Sequence, residues 1–236
     1  IKKIAKKKNI YVIEDCAQAH GTKFKNKKVG SFGDISCFSF YATKHMTTGE
    51  GGILCSNNKS FISKAKSFRN HGMVDRDNHE FLGYNYRMNE ISAAIGLEQL
   101  KKLNKLNSKR RSNSLYILRS LNKKKNNWFK TQPINKKIFH TYFWCPLRII
   151  NKKIKLKEVR NRLKLKGIEI RARYNVPLYK QTVIQNLKIQ SSQNYKKLYL
   201  KNAEKLSGKI FGLPNHYKLN TKELNYIIST VSKLYE

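Results

Sequence analysis

Acidic side chains are scarce in this sequence: its 236 residues include 14 Asp and Glu against 50 Lys and Arg, a formal charge of +36. A surplus of that size ordinarily raises polyanions as partners, because each neutralised phosphate releases counterions. The distribution argues for a different origin. Lysines fall in short runs along the whole chain (residues 6–8, 101–102, 123–125, 136–137 and 152–153), mixed with many Asn and Ile. A codon bias toward adenine and thymine would put that trio on solvated faces. We therefore expect no specific nucleic acid as a partner, although weak attraction to polyanions follows from the charge alone.

Other absences narrow the class further. No apolar run approaches the roughly 18 residues that span a bilayer, so no membrane is expected as a partner. The four cysteines, Cys16, Cys37, Cys55 and Cys145, have neither C-x-x-C spacing nor the density of a disulfide scaffold. They read as small reduced apolar residues of a cytoplasmic protein. The histidines show no metal spacing, and neither H-E-x-x-H nor C-x-x-C occurs. An initial Met is also lacking. Residues 1–8, IKKIAKKK, read as the last turns of an amphipathic helix, with Asn9 suited to its end. The expectation is a chain that begins inside a βα unit, with on the order of a hundred residues upstream.

What is present centres on residues 35–55, ISCFSFYATKHMTTGEGGILC. Two short runs rich in aromatic and β-branched residues flank a loop of Thr, Lys, His and Gly, the pattern of two strands meeting at a polar turn. One lysine, Lys44, sits on that turn. Upstream, IYVI at residues 10–13 reads as a buried strand carrying Glu14, Asp15, Gln18 and His20 at its C-terminal end, where α/β sheets place ligands. A carboxylate at a strand end, a serine at Ser39 on the next strand and a loop lysine five residues later suggest pyridoxal phosphate (PLP). That cofactor needs a lysine to hold it, an acid at its pyridine nitrogen and donors for its phosphate.

The rest of the chain is more ordinary. Residues 59–68 have helical spacing, whereas RNHGMVDRDNHEFLGYNYRM reads as a long ordered loop of the kind that tends to be functional. Asn89 suits an N-cap for a helix through Ile91, Ala94, Ile95, Leu97 and Leu100 as far as Leu121. The Asn- and Lys-rich residues 122–127 mark a boundary. We expect one unit over 1–121, holding the linking helix, and a small α/β domain over 122–236. In the latter, residues 141–147, 168–171 and 210–213 read as strands and 157–166, 194–206 and a stretch capped by Thr221 as helices.

The runs EDCAQAHG, GSFGDISCFSFYATKHMTTGEGG, RNHGM and GYNYRMNEISAAIGLEQL, in this order from Glu14 to Leu100, strongly resemble the DegT/DnrJ-type sugar aminotransferases. The resemblance continues more weakly through His140, Tyr142, Gly167, Ile168, Arg171, Pro177 and Leu178. It implies an α/β chain with the PLP-dependent transferase fold type I, here the second half of the large domain plus the small C-terminal domain. It also implies an aminotransferase acting on nucleotide-linked keto sugars for glycan or polysaccharide synthesis, with glutamate as the expected amino donor.

Residue by residue, the resemblance assigns Lys44 to covalent attachment of PLP and to proton transfer, and Asp15 to the pyridine nitrogen. Gln18 falls to the phenolic oxygen or ring face and Ser39 to the phosphate. Asn85 would reach the phosphate in a neighbouring subunit, so that a homodimer shares its active sites. His20, Arg171 and Tyr174 are candidates for the substrate. Ala42 and His45 stand where relatives often have Pro and Asn. Two other readings remain at this level. A PLP-dependent sugar dehydratase is disfavoured by Lys44, because relatives with that chemistry carry His there. A non-catalytic fragment or basic binding protein has the charge and the expected missing first half in its support.

Overall fold

The computed structural model describes residues 1–172, 175–186 and 199–236. The chain runs through α1 (Lys2–Lys7), β1 (Ile13–Asp15), β2 (Lys23–Phe24), β3 (Lys27–Lys28), β4 (Ile35–Ser39), β5 (Gly52–Cys55), α2 (Lys59–Phe68) and α3 (Glu90–Asn122). It continues through β6 (Phe129–Thr131), β7 (Ile138–Phe139), β8 (Cys145–Ile149), α4 (Leu156–Leu165), β9 (Arg171–Ala172), α5 (Thr182–Asn186), α6 (Lys201–Leu206), β10 (Ile210–Leu213) and α7 (Thr221–Ser232). Two compact units result. The first comprises residues 1–111 and 135–143, the second 112–134 and 144–236.

In the first unit β1, β4 and β5 form a sheet in that order, with β1 parallel and β5 antiparallel to β4. The expected strand at residues 10–13 begins later, at Ile13, and it is not buried: Ile10, Tyr11 and Ile13 are 61, 71 and 67% exposed. It lies at the edge of the sheet, paired with β4. A second small sheet, β3-β2-β7, turns at Lys25 and Asn26, both with positive φ. Two left-handed residues suit the twist of a two-residue hairpin.

Helix α2 occupies the expected residues and is capped by Asn58, whose side chain accepts from Ser60 N and Phe61 N. Asn89 caps α3 in the same way, accepting from Ser92 N at 2.8 Å. Between them the long loop folds back on itself: His71 N donates to Tyr84 O and Tyr84 N to Phe68 O. Its two arms cross so closely that a Cβ on Gly83 would lie 2.0 Å from Gly72 N, which excludes any larger residue. The early apolar positions of α3 are open, with Ile91 78%, Leu97 64% and Leu100 56% exposed.

The second unit is built on a four-stranded antiparallel sheet, β6-β8-β10-β9. The end of α3 adds Ile117, Leu118 and Leu121 to its core, together with Leu163, Phe211 and Val231. Trp128 and Phe211 stack with rings 6.1 Å apart and nearly parallel. Strand β8 starts at Cys145 rather than at residue 141, because Tyr142 adopts φ +51 and breaks the extended run. The expected strand over 168–171 is shifted to Arg171–Ala172, and of the expected helix over 194–206 only Lys201–Leu206 is among the described residues. Asn220, not Thr221, is the N-cap of α7. It forms a capping box with Glu223, each side chain meeting the other's backbone N–H. Replacing Asn220 by Ala should lower stability by about 1 kcal/mol, and Leu163→Ala by about 2–5 kcal/mol, as read by denaturant unfolding.

Candidate active site

The parallel pairing of β1 with β4 builds the site. Their register sets Ile13 opposite Ile35 and Asp15 opposite Cys37, and Cys16 N donates to Cys37 O at 2.8 Å. Asp15 therefore ends β1 beside the stretch where Ser39 ends β4. The chain then turns, with Lys44 N donating to Tyr41 O at 2.9 Å and Thr48 N to Phe40 O at 3.0 Å, and returns through Gly51 into β5. Gly51 has φ +145, and a Cβ there would sit 2.6 Å from Thr48 Oγ1, so the return needs glycine. Lys44 is half-buried on this loop.

Each side chain at this edge keeps capacity for a ligand. Asp15 Oδ1 accepts from Ala17 N at 3.0 Å, while Oδ2 has no partner among the described residues. Ser39 Oγ accepts from Tyr41 N at 3.3 Å, which leaves its proton free to be donated. Gln18 is exposed in the turn after β1. Asn85 is exposed on the long loop, its backbone bridged to Asn70. Arg171 belongs to the second unit, paired with Gly212 across β9 and β10. Tyr174 lies outside the described residues.

His20, a candidate for the substrate, lies below the surface. It is only 3% exposed, its ring among Phe38, Phe40 and His45 at 5.4, 6.1 and 5.6 Å, so it offers a substrate no surface. With these rings it forms a buried floor beside the lysine loop. His45, also 3% exposed, lies in the same floor, 5.6 Å from the ring of Phe143. Phe143 also meets Lys44, whose Nζ lies over its ring at 5.2 Å from the centre.

Neither imidazole closes a hydrogen bond of good geometry. Burial pushes the His20 pKa down to about 4, aided by the charges of Lys44 and Arg110 and opposed in part by the Ser39 backbone. Burial likewise pushes His45 down to about 3, with Arg110 and His20 adding to it and the Thr141 backbone opposing it. Both are neutral at pH 7, so the floor adds no positive charge beneath the lysine.

The sequence placed Glu14 at the strand end but gave it no role. Its carboxylate accepts from Gly30 N at 2.8 Å and from Phe32 N and Gly33 N at 2.6 Å each, pinning that loop to β1. Burial acts to raise its pKa, but the three N–H groups and Lys27 outweigh it and hold the carboxyl below its usual value. The scarcity of acids was the available signal, because an acid kept in so basic a chain usually has a partner.

A strand-end carboxylate, a hydroxyl and a loop lysine at one sheet edge make up the candidate site, and comparisons with known proteins give the chain a family. The model of the DegT/DnrJ/EryC1/StrS aminotransferase family matches residues 1–232, and the chain belongs to that family. It is 36% identical to GDP-perosamine synthase of Escherichia coli O157:H7 over its whole length. It is 34% identical over its whole length to UDP-4-amino-4,6-dideoxy-N-acetyl-beta-L-altrosamine transaminase of Helicobacter pylori. The solved structure of Helicobacter pylori PseC, an aminotransferase involved in pseudoaminic acid biosynthesis, superposes with a TM-score of 0.88 at 32% identity over the whole chain. The fold is thus the fold type I expected. The chain spans 61 and 62% of the two sequence relatives and 62% of the PseC structure.

The neutral histidines give a signed pH dependence. Unfolded imidazoles near pKa 6.5 take up protons that the folded ones, at about 4 and about 3, refuse. Stability should fall as pH drops from about 6.5 toward 4, by at most roughly 1.4 kcal/mol per pH unit for each histidine. Glu14 acts lower, its contribution being lost as pH falls below about 4.5. Thermal melts between pH 5 and 7 should flatten in His45→Gln, and equal slopes in both proteins would refute the assignment.

Proposed function

We propose that the protein is a PLP-dependent aminotransferase that moves an amino group, with glutamate as donor, to a keto group on a nucleotide-linked sugar for glycan or polysaccharide synthesis. The observation that carries this reading is the parallel β1–β4 register, which brings Asp15 and Ser39 to the edge from which the Lys44 loop departs. The donor set fits the cofactor. Lys44 would hold it covalently, Asp15 Oδ2 would face its pyridine nitrogen, Ser39 would donate to its phosphate and Gln18 would meet its phenolic oxygen. PLP supplies an electron sink for the carbon that loses its proton. The chain supplies the rest. Lys44 Nζ, once free, carries that proton, and the Asp15 carboxylate favours a protonated ring nitrogen.

The substrate class rests on family membership and on the relatives, whose names carry GDP and UDP. Arg171 and Tyr174 remain candidates for holding the nucleotide sugar. Asn85 extends the proposal to a homodimer with shared sites. Its side chain is exposed on a loop bearing the stacked, largely open rings of Tyr84 and Tyr86, and the open apolar positions of α3 offer a second copy a surface to cover. No helix among the described residues is long and apolar enough to cross a membrane. A cytoplasmic location is supported by cysteines that are all unbridged.

Borohydride trapping of PLP followed by peptide mapping tests the core of the reading, on this chain and on a version extended upstream. Label is expected on Lys44, and Lys44→Ala should lose both label and at least about a hundredfold in transamination rate. Absence of label in both forms would sink the aminotransferase reading. For the shared site, mixing Lys44→Ala with Asn85→Ala subunits should restore activity that neither has alone, since one hybrid site regains both residues. Failure of the mixture to recover would leave Asn85 serving its own subunit.

A further inference from the structure

We propose that Phe143 is a positioning residue for Lys44, and that the turn at Tyr142 exists to set its ring there. The inference deepens the aminotransferase reading and rests on it for its catalytic consequence. Tyr142 is an aromatic residue at φ +51, a conformation that bulky side chains rarely adopt and that persists only when its surroundings over-determine it. They do so here. Tyr142 N donates to His140 Nδ1 at 2.8 Å, the two rings pack at 4.3 Å with their planes tilted by 35°, and Arg111 Nη1 donates to His140 O at 3.1 Å. Thr141, fully buried, shares a 2.8 Å hydrogen bond with Thr22.

This anchoring interrupts an otherwise extended run, and the residue it delivers is Phe143. Its ring lies 5.6 Å from the neutral imidazole of His45 and 5.2 Å, centre to Nζ, from Lys44. An aromatic face attracts an ammonium group through its quadrupole, so the ring gives a long, freely rotating side chain one preferred resting place. A lysine that must leave and rejoin the same centre in each cycle gains from such a rest, because orientation is part of the barrier. The neutral His45 ring beside Phe143 adds no competing charge.

The test uses Phe143→Leu, which keeps apolar bulk and removes the ring face, and Phe143→Tyr, which keeps the face. In the full-length protein freed of cofactor, the rate of labelling by an amine-specific imidoester is read by mass spectrometry at Lys44 and, as internal reference, at exposed Lys28. The Leu variant should label Lys44 about 2- to 5-fold faster with Lys28 unchanged, and the Tyr variant should return the wild-type rate. In the loaded enzyme the Leu variant should lose kcat by a similar factor at unchanged KM. Equal Lys44 rates in wild type and Leu variant, or parallel acceleration at Lys28, would overturn the proposal. If wild-type protein fails to trap PLP while the Leu variant still labels faster at Lys44, the contact stands and the aminotransferase reading falls.

Discussion

The parallel hydrogen bonding of β1 to β4 is the constraint from which the site follows. Side chains alternate across a strand, so a slip of one residue would carry Asp15 to the opposite face and separate it from the lysine loop. Glu14 guards against such a slip. Its three bonds to the backbone of Gly30, Phe32 and Gly33 tie the segment leading into β4 to the strand that ends in Asp15. Asp34 adds a fourth tie by accepting from Val12 N at 2.7 Å. Two of the chain's few acids thus serve the backbone beside the site rather than pairing with its many bases.

That allocation explains how so basic a chain is organised. Only three ion pairs join described residues, Lys101–Glu98, Arg162–Glu158 and Lys180–Glu204, and each is at least partly open to water. Exposed pairs contribute little, so most lysines are simply solvated. Near Lys44 a different solution applies. Burial keeps His20 and His45 neutral, which spares the loop two further positive charges at the cost of four poorly satisfied ring nitrogens. Buried polar groups of that kind are uncommon, and they cluster where function sets the packing.

The second unit shows how fold and chemistry are divided. Its core of Trp128, Phe211 and the last turns of α3 is closely packed, and of the residues nominated for the site only Arg171 among the described ones belongs to it. The first unit holds Asp15, Gln18, Ser39, Lys44 and Asn85. Helix α3 contributes to both units, its division falling between Arg111 and Ser112.

Local features were legible in the sequence because their causes are local. The Asn89 cap, the helical spacing that follows it to Leu121 and the glycine-rich return after Lys44 each lie within a few residues of the structure they specify. The order of motifs was likewise sufficient to indicate the family. What the tertiary structure decided was which distant residues meet: Glu14 with the loop at Gly30 to Gly33, Phe143 with Lys44, and His20 with a buried aromatic floor. It also moved the start of β8, because the anchored turn at Tyr142 overrides the extended preference of its neighbours. No periodicity or cap encodes such contacts, since they arise only when separate segments close on one another and burial selects the pairs that remain.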